Sequence, residues 1–162
     1  MKVVSITMVK NEVDIIESFI RYHLNIVDEM IILDNCSSDE TPLIISNLID
    51  EGLPIIFFSD SNNNFTQAFK LDILLNNAFN EHDADIVCVL DADEFLISSD
   101  NNSNPREILN NLDLNEYYLA KWMTYVPTKE DSADLFIPKR ITHVRDEDLE
   151  SFFGCVRFDT DA

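Results

Sequence analysis

Two aspartates one residue apart, Asp91 and Asp93, follow directly on an apolar run, Ile86 to Leu90, and are followed by Glu94. A continuous apolar run of this kind is expected of a central strand covered on both faces. If the strand pattern continues through the pair, alternation sends both carboxylates to the same side. Two hard oxygen ligands at the lip of a sheet suit Mg2+ or Mn2+, ions that keep several waters and take further ligands from substrate phosphates. A metal there would neutralise charge developing on a diphosphate leaving group. The plain alternative is that the two acids are the solvated end of a strand.

Two more polar clusters stand where strands are expected to stop. Lys10-Asn11-Glu12 follows the first strand-like stretch and Asp34-Asn35 follows the second. In an open parallel sheet, ligands bind beyond the carboxyl ends of the strands, so the three clusters are expected to converge in space. Asp34 and Asn35 offer acceptors, and Asn35 also donors, for a nucleobase or ribose. They serve equally well as an Asx-type turn leading into the next helix. Lys70, in a chain poor in basic residues, either reaches a phosphate as a mobile point charge or pairs on a helix surface with an acid such as Asp72. His23, His82 and His143 show no metal-ligand spacing, and no Cys/His pattern resembles a zinc site.

The elements that must carry these residues alternate between strand and helix. Strand-like stretches run over 2–8, 30–33, 54–58 and 86–90, with helices predicted over 12–24, from Thr41-Pro42 to about Gly52, and over 65–82. Asn11 is expected to cap the first helix. Phe69, Ile73, Leu74, Ala78 and Phe79 are expected to mark the apolar face of the third. Asn104-Pro105-Arg106-Glu107 reads as a further capped helix start, and 117–126, with the single Trp122, as a strand. Short strands are expected near 135–137, 141–144 and 152–157. Three strand–helix units followed by a buried strand predict an α/β fold with a doubly wound, mostly parallel sheet. Residues 1–98 form its ligand-binding half. Residues 99–162 open a second region of the same domain, expected to be incomplete because no closing element precedes Ala162.

Composition narrows the function. The 162 residues carry 31 acidic against 11 basic side chains, a formal charge of −20, which argues against nucleic acid or an anionic membrane as partner. Only two glycines are present, too few for a Walker-type phosphate loop or a dinucleotide fingerprint. Cys36, Cys88 and Cys155 are few and scattered, as expected of reduced thiols. No apolar run is long enough to span a bilayer, and the start lacks the pattern of a signal peptide. The expected location is cytoplasmic, with peripheral contact to a membrane only through an acceptor.

Three segments taken together, Met8-Val9-Lys10-Asn11-Glu12 with Asp14 to Glu17, Ile32 to Thr41, and Val89 to Phe95, resemble family-two-like glycosyltransferases. The resemblance covers residues 2 to 98. It implies a GT-A fold of the nucleotide-diphospho-sugar transferase superfamily, a nucleotide-sugar donor and Mn2+ or Mg2+. By position it implies that Val9, Asn11 and Glu12 line the nucleotide pocket and that Asp34 or Asn35 faces the base. It further implies that Asp93 ligates the metal, with Asp91 on ribose or metal, and that Lys70 lies near a basic residue of relatives. The reaction implied is transfer of a sugar to an acceptor hydroxyl. A carboxylate general base is expected beyond residue 98, and no motif selects among Asp146, Glu147, Asp148 and Glu150. Two other readings are open to the same residues: a non-catalytic nucleotide-sugar- or metal-binding module, and a phosphohydrolase of the haloacid dehalogenase type. The latter uses a similar Asp-x-Asp near its start, whereas three strand–helix units precede this one.

Overall fold

The computed structural model describes residues 1–60, 66–98, 103–114, 116, 118–121, 125–126, 143–144 and 152–155. Its first part alternates as expected: β1 (Val3–Val9), α1 (Ile16–His23), β2 (Glu29–Asn35), α2 (Thr41–Asp50), β3 (Ile55–Asp60), α3 (Gln67–Asn80) and β4 (Ile86–Val89). Then follow α4 (Pro105–Asn110), β5 (Tyr118–Lys121), β6 (Tyr125–Val126), β7 (His143–Val144) and β8 (Phe152–Cys155). The main sheet has the order β3-β2-β1-β4-β8-β5, and β6 pairs with β7 separately. β3, β2, β1 and β4 are mutually parallel. β8 runs antiparallel to both β4 and β5, so the later segment extends the same sheet. The expected strand over 117–126 is therefore two short ones. The stretch 135–137, Trp122 and the acids at 146–150 lie outside the described residues.

The sequence of crossovers decides which face each helix covers. From β1 the chain steps outward to β2 and β3, then returns to the other side of β1 as β4. Right-handed crossovers place helices on opposite faces when that direction reverses. Accordingly α1, α2 and α4 pack on one face, where Ile16, Phe19, Ile20, Ile45, Leu48 and Leu109 meet Val3, Val9, Met30, Ile32, Ile86 and Cys88. α3 packs on the other, where Leu74 and Ala78 meet Val4, Ile6, Ile31, Leu33 and Val87. β1 is sealed from both sides, with Val3 to Thr7 wholly buried.

Helix patterning explains the packing and corrects two expectations. In α1 the buried residues Ile16, Phe19, Ile20 and His23 recur at helical spacing. The helix starts later than expected, and Asn11 does not cap it: the N-cap position is Ile15, which makes no side-chain capping bond, and Asn11 takes a left-handed backbone (φ 59°) instead. In α3 the stripe facing the sheet is Lys70, Leu74 and Ala78, with Thr66 capping through Phe69 N–H. Phe69 and Ile73, expected on that face, are exposed, because Lys70 takes the position nearest the strand tips.

Candidate functional site

The lip of the sheet is shaped by strands of unequal length. β1 and β2 stay paired out to Val9 beside Asp34, and β2 and β3 out to Asn35 beside Asp60. β4 leaves β1 early: its last paired residue is Val89 opposite Ile6, and one further bond joins Leu90 N–H to Ile6 O at 3.1 Å. Thr7 to Val9 therefore continue with β2 on one side and no pairing to β4 on the other. The crevice so formed lies where the strand order reverses, the place at which doubly wound sheets bind ligands.

Asp91 and Asp93 stand on its rim, but the alternating strand does not run through them. The chain turns instead: Glu94 N–H donates to Asp91 O at 3.0 Å, and Asp91 N–H donates to Glu94 Oε2 at 3.1 Å. Ala92 is drawn into the core with Phe95 and Leu96 packed behind it, which leaves an exposed aspartate on either side. Both carboxylates are thus presented by a turn anchored through its apolar centre.

Glu12, from the loop after β1, shares their electrostatic environment. Burial raises its carboxyl above the usual range, and the charges of Asp93, Asp14, Asp39 and Asp91 raise it further. Asp91, although exposed as a residue, is raised by partial burial of its carboxyl and then by the charge of Asp93. Glu94 is raised by burial, opposed by the Asp91 N–H it accepts, with Asp91 and Asp93 adding to the rise. Among the described residues none of these four acids pairs with a lysine or arginine. Nor do three His, Cys, Asp or Glu side chains there gather closely enough to enclose a metal ion. Such a rim, hard oxygens not paired with basic side chains among the described residues, fits an ion that completes its shell with water and phosphate oxygens.

The loops after β1 and β2 are stitched together by side chains. Asn11 N–H donates to Ser37 Oγ (2.9 Å), Glu12 N–H to Thr41 Oγ1 (2.8 Å) and Val13 N–H to Asp39 Oδ2 (3.3 Å). In return Ser38 N–H donates to Asn11 Oδ1 at 2.7 Å. Three successive backbone donors are thereby satisfied by the segment Ser37 to Thr41. Ser37, Asp39 and Thr41 lie in the segment that carries the resemblance, but nothing in the sequence gives them individual roles beyond Thr41-Pro42 as a helix start.

Asp34 is buried and accepts Ser37 N–H at 3.2 and 3.3 Å, the Asx-type turn; a carboxylate has further acceptor capacity on its remaining lone pairs. Lys70 is neither mobile nor on the surface: its Nζ is buried, 2.6 Å from Asn35 Oδ1 and 3.2 Å from Asp60 Oδ2. It therefore braces the tips of β2 and β3. Val9, Asn11, Glu12, Asp34, Asp91 and Asp93 come to the lip on either side of β1, whereas Lys70 and Asn35 stand towards the β3 end, away from the acidic turn.

The family model described as Glycosyl transferase family 2 matches residues 5–100, more than half of the chain. This chain belongs to glycosyl transferase family 2. The same stretch holds all three loops of the crevice. A solved structure similar to this family 2 member is the mannosyltransferase PcManGT from Pyrobaculum calidifontis, determined in complex with GDP-Man and Mn2+. The likeness has a TM-score of 0.50 at 22% identity and covers 68% of this chain. It is a likeness of fold and establishes the GT-A architecture. This chain spans 30% of that protein's length. No curated protein matches it. No helix among the described residues is long and apolar enough to cross a membrane.

Proposed function

We propose that this family 2 domain binds a nucleotide-diphospho-sugar in the β1/β4 crevice and transfers the sugar to an acceptor hydroxyl, with Mn2+ or Mg2+ held by Asp93 and Asp91. The observation that carries the reading is the placement of Glu12, Asp91, Asp93 and Glu94 at the switch point, where burial and then neighbouring aspartate charges raise the carboxyls of Glu12, Asp91 and Glu94, with no lysine or arginine paired to any of the four among the described residues. Repulsion of this kind is relieved by a cation, and a diphosphate could approach such a rim only with one. When bound, the ion would neutralise charge on the departing nucleoside diphosphate.

The chain's own residues have separable tasks. The Val9–Glu12 loop, stitched to Ser37–Thr41, forms a fixed wall for the nucleoside. Asp34 offers a buried carboxylate to a ribose hydroxyl or base N–H. Asn35 takes its orientation from Lys70, which acts at the nucleoside end rather than on a phosphate.

Calorimetric titration of UDP- and GDP-linked sugars, with and without Mn2+, tests the reading. One of the two donors should bind more tightly with Mn2+. Asp93→Asn, which removes charge and keeps shape, should weaken that binding about a hundredfold, the equivalent of ~3 kcal/mol. Undiminished metal-assisted affinity in that variant overturns the proposal. Metal-assisted binding with no sugar released or transferred would favour the binding module over the enzyme.

A further inference from the structure

Adjacent residues on α1, Tyr22 and His23, grip a single residue just beyond the acidic turn. Tyr22 Oη donates to Leu96 O at 2.6 Å, and Leu96 N–H donates to His23 Nε2 at 3.3 Å. The other ring nitrogen, Nδ1, lies 3.0 Å from Phe19 O. A carbonyl can only accept and an N–H can only donate, so the imidazole carries its proton on Nδ1 and presents a lone pair at Nε2.

Phe95, the residue between this grip and Glu94, is held from the same helix. Its ring stacks on His23 with centroids 5.6 Å apart, and it meets Tyr22 and Phe19 edge-on at 5.2 and 6.1 Å. One turn of α1, from Phe19 to His23, thus fixes both polar atoms of Leu96 and the ring before it. The other end of α1 grows directly from the site, since Ile15 and Ile16 N–H both donate to Glu12 O, at 3.1 and 2.9 Å. α1 is the rigid piece between Glu12 and the Asp91–Glu94 turn.

Filling space alone would not call for these side chains. Burying a phenol and an imidazole in an apolar cluster costs free energy unless their polar atoms are paired, and phenylalanine or leucine would occupy the same volume without that demand. Here both are paired to Leu96, three residues from Asp93.

We propose that Tyr22 and His23 are positioning residues, setting where Asp91 and Asp93 stand relative to the Val9–Glu12 loop, so that metal-assisted donor binding depends on them. The inference rests on the acidic turn being the metal-holding rim. The full chain is titrated with GDP and with UDP, with and without Mn2+, and its melting temperature is followed. The variants are Tyr22→Phe, His23→Asn, His23→Gln and, as control, Asp93→Asn. Glutamine places its amide where Nε2 lies and can still accept Leu96 N–H, whereas asparagine reaches only the Phe19 carbonyl.

Tyr22→Phe and His23→Asn should each weaken the Mn2+-dependent nucleotide affinity about five- to tenfold, the effect of one lost positioning bond, with metal-free affinity unchanged. His23→Gln should recover to within about twofold of the parent. A packing role predicts instead that glutamine and asparagine behave alike and that both components of affinity fall together with the melting temperature. That outcome overturns the proposal. Tyr22→Phe keeps all the packing and decides the matter if His23→Asn fails to fold. Loss of metal-assisted affinity in Asp93→Asn, with parent-like Tyr22→Phe and His23→Asn, sinks the positioning role alone. Parent-like affinity in Asp93→Asn sinks the metal reading, and this inference with it.

Discussion

Lys70 is the residue whose environment differs most from what its type suggests. A lysine in the first turns of a helix is ordinarily a solvated charge, yet this one is buried beneath Asn35 and Asp60. Taking a charge out of water is tolerable only where partners replace the lost hydration, and removing one member of a buried pair takes that compensation from the other. Lys70→Met should therefore destabilise the fold by about 3 kcal/mol, read as a lower midpoint in urea. Asp60 keeps 28% of its side chain exposed, so water partly relieves it and the cost should fall at the low end of the buried-pair range. The double variant Lys70→Met/Asp60→Asn should recover most of the loss. If it is no more stable than Lys70→Met alone, the ion pair is not what holds the two strand tips.

At the scale of elements, the crevice depends on two loops bonding to each other rather than on either alone. Thr41 sits at the start of α2, wholly buried, and its hydroxyl takes Glu12 N–H at 2.8 Å. Thr41→Val keeps the shape and removes the acceptor, leaving that N–H unpaired, at an expected cost of about 1–2 kcal/mol. Because the same bond fixes the loop carrying Glu12, nucleotide affinity should fall alongside stability; parent-like affinity in Thr41→Val would show that the stitching has no part in binding. Such bonds separate what the sequence makes legible from what it does not. The strands were legible because apolar runs at 30–33 and 86–90 have no other use than a doubly buried sheet. The three polar clusters were legible because parallel strands must discharge their loops at one lip. Asn11 does not act as the expected cap because its side chain bonds across to Ser38, a partner 27 residues away that no local rule supplies. Phe69 and Ile73 face outward because helical periodicity admits two neighbouring stripes, and Lys70's pairing at the strand tips selects the less apolar one. The turn at Asp91–Glu94 escaped alternation because Ala92 has a core to enter where β4 no longer has a neighbour to pair with.

For the whole molecule, two opposing effects govern stability against pH. With a formal charge of −20, the folded chain repels itself, and protonating acids relieves the strain. Glu12, Asp91 and Glu94, all raised, bind protons more readily folded than unfolded and so favour the fold as pH drops towards their range. His23 works the other way. Burial pushes it from 6.5 down to about 4, because the charged ring would lose its hydration, with the bond to the Phe19 carbonyl opposing the shift. Between those values the unfolded chain takes up a proton that the folded chain refuses, so stability falls with acidification by up to ~3 kcal/mol, complete near the folded value. Wild type alone would show only the sum of these trends. The informative quantity is the unfolding free energy of wild type minus that of His23→Gln, which shares every other titrating group. That difference should be constant above about pH 7, where both states of His23 are neutral, and should shrink steadily in favour of the variant as pH falls from 6.5 towards 4. A flat difference across that interval would mean that His23 is protonated as readily in the fold as out of it, and the lone pair offered to Leu96 would have to be abandoned.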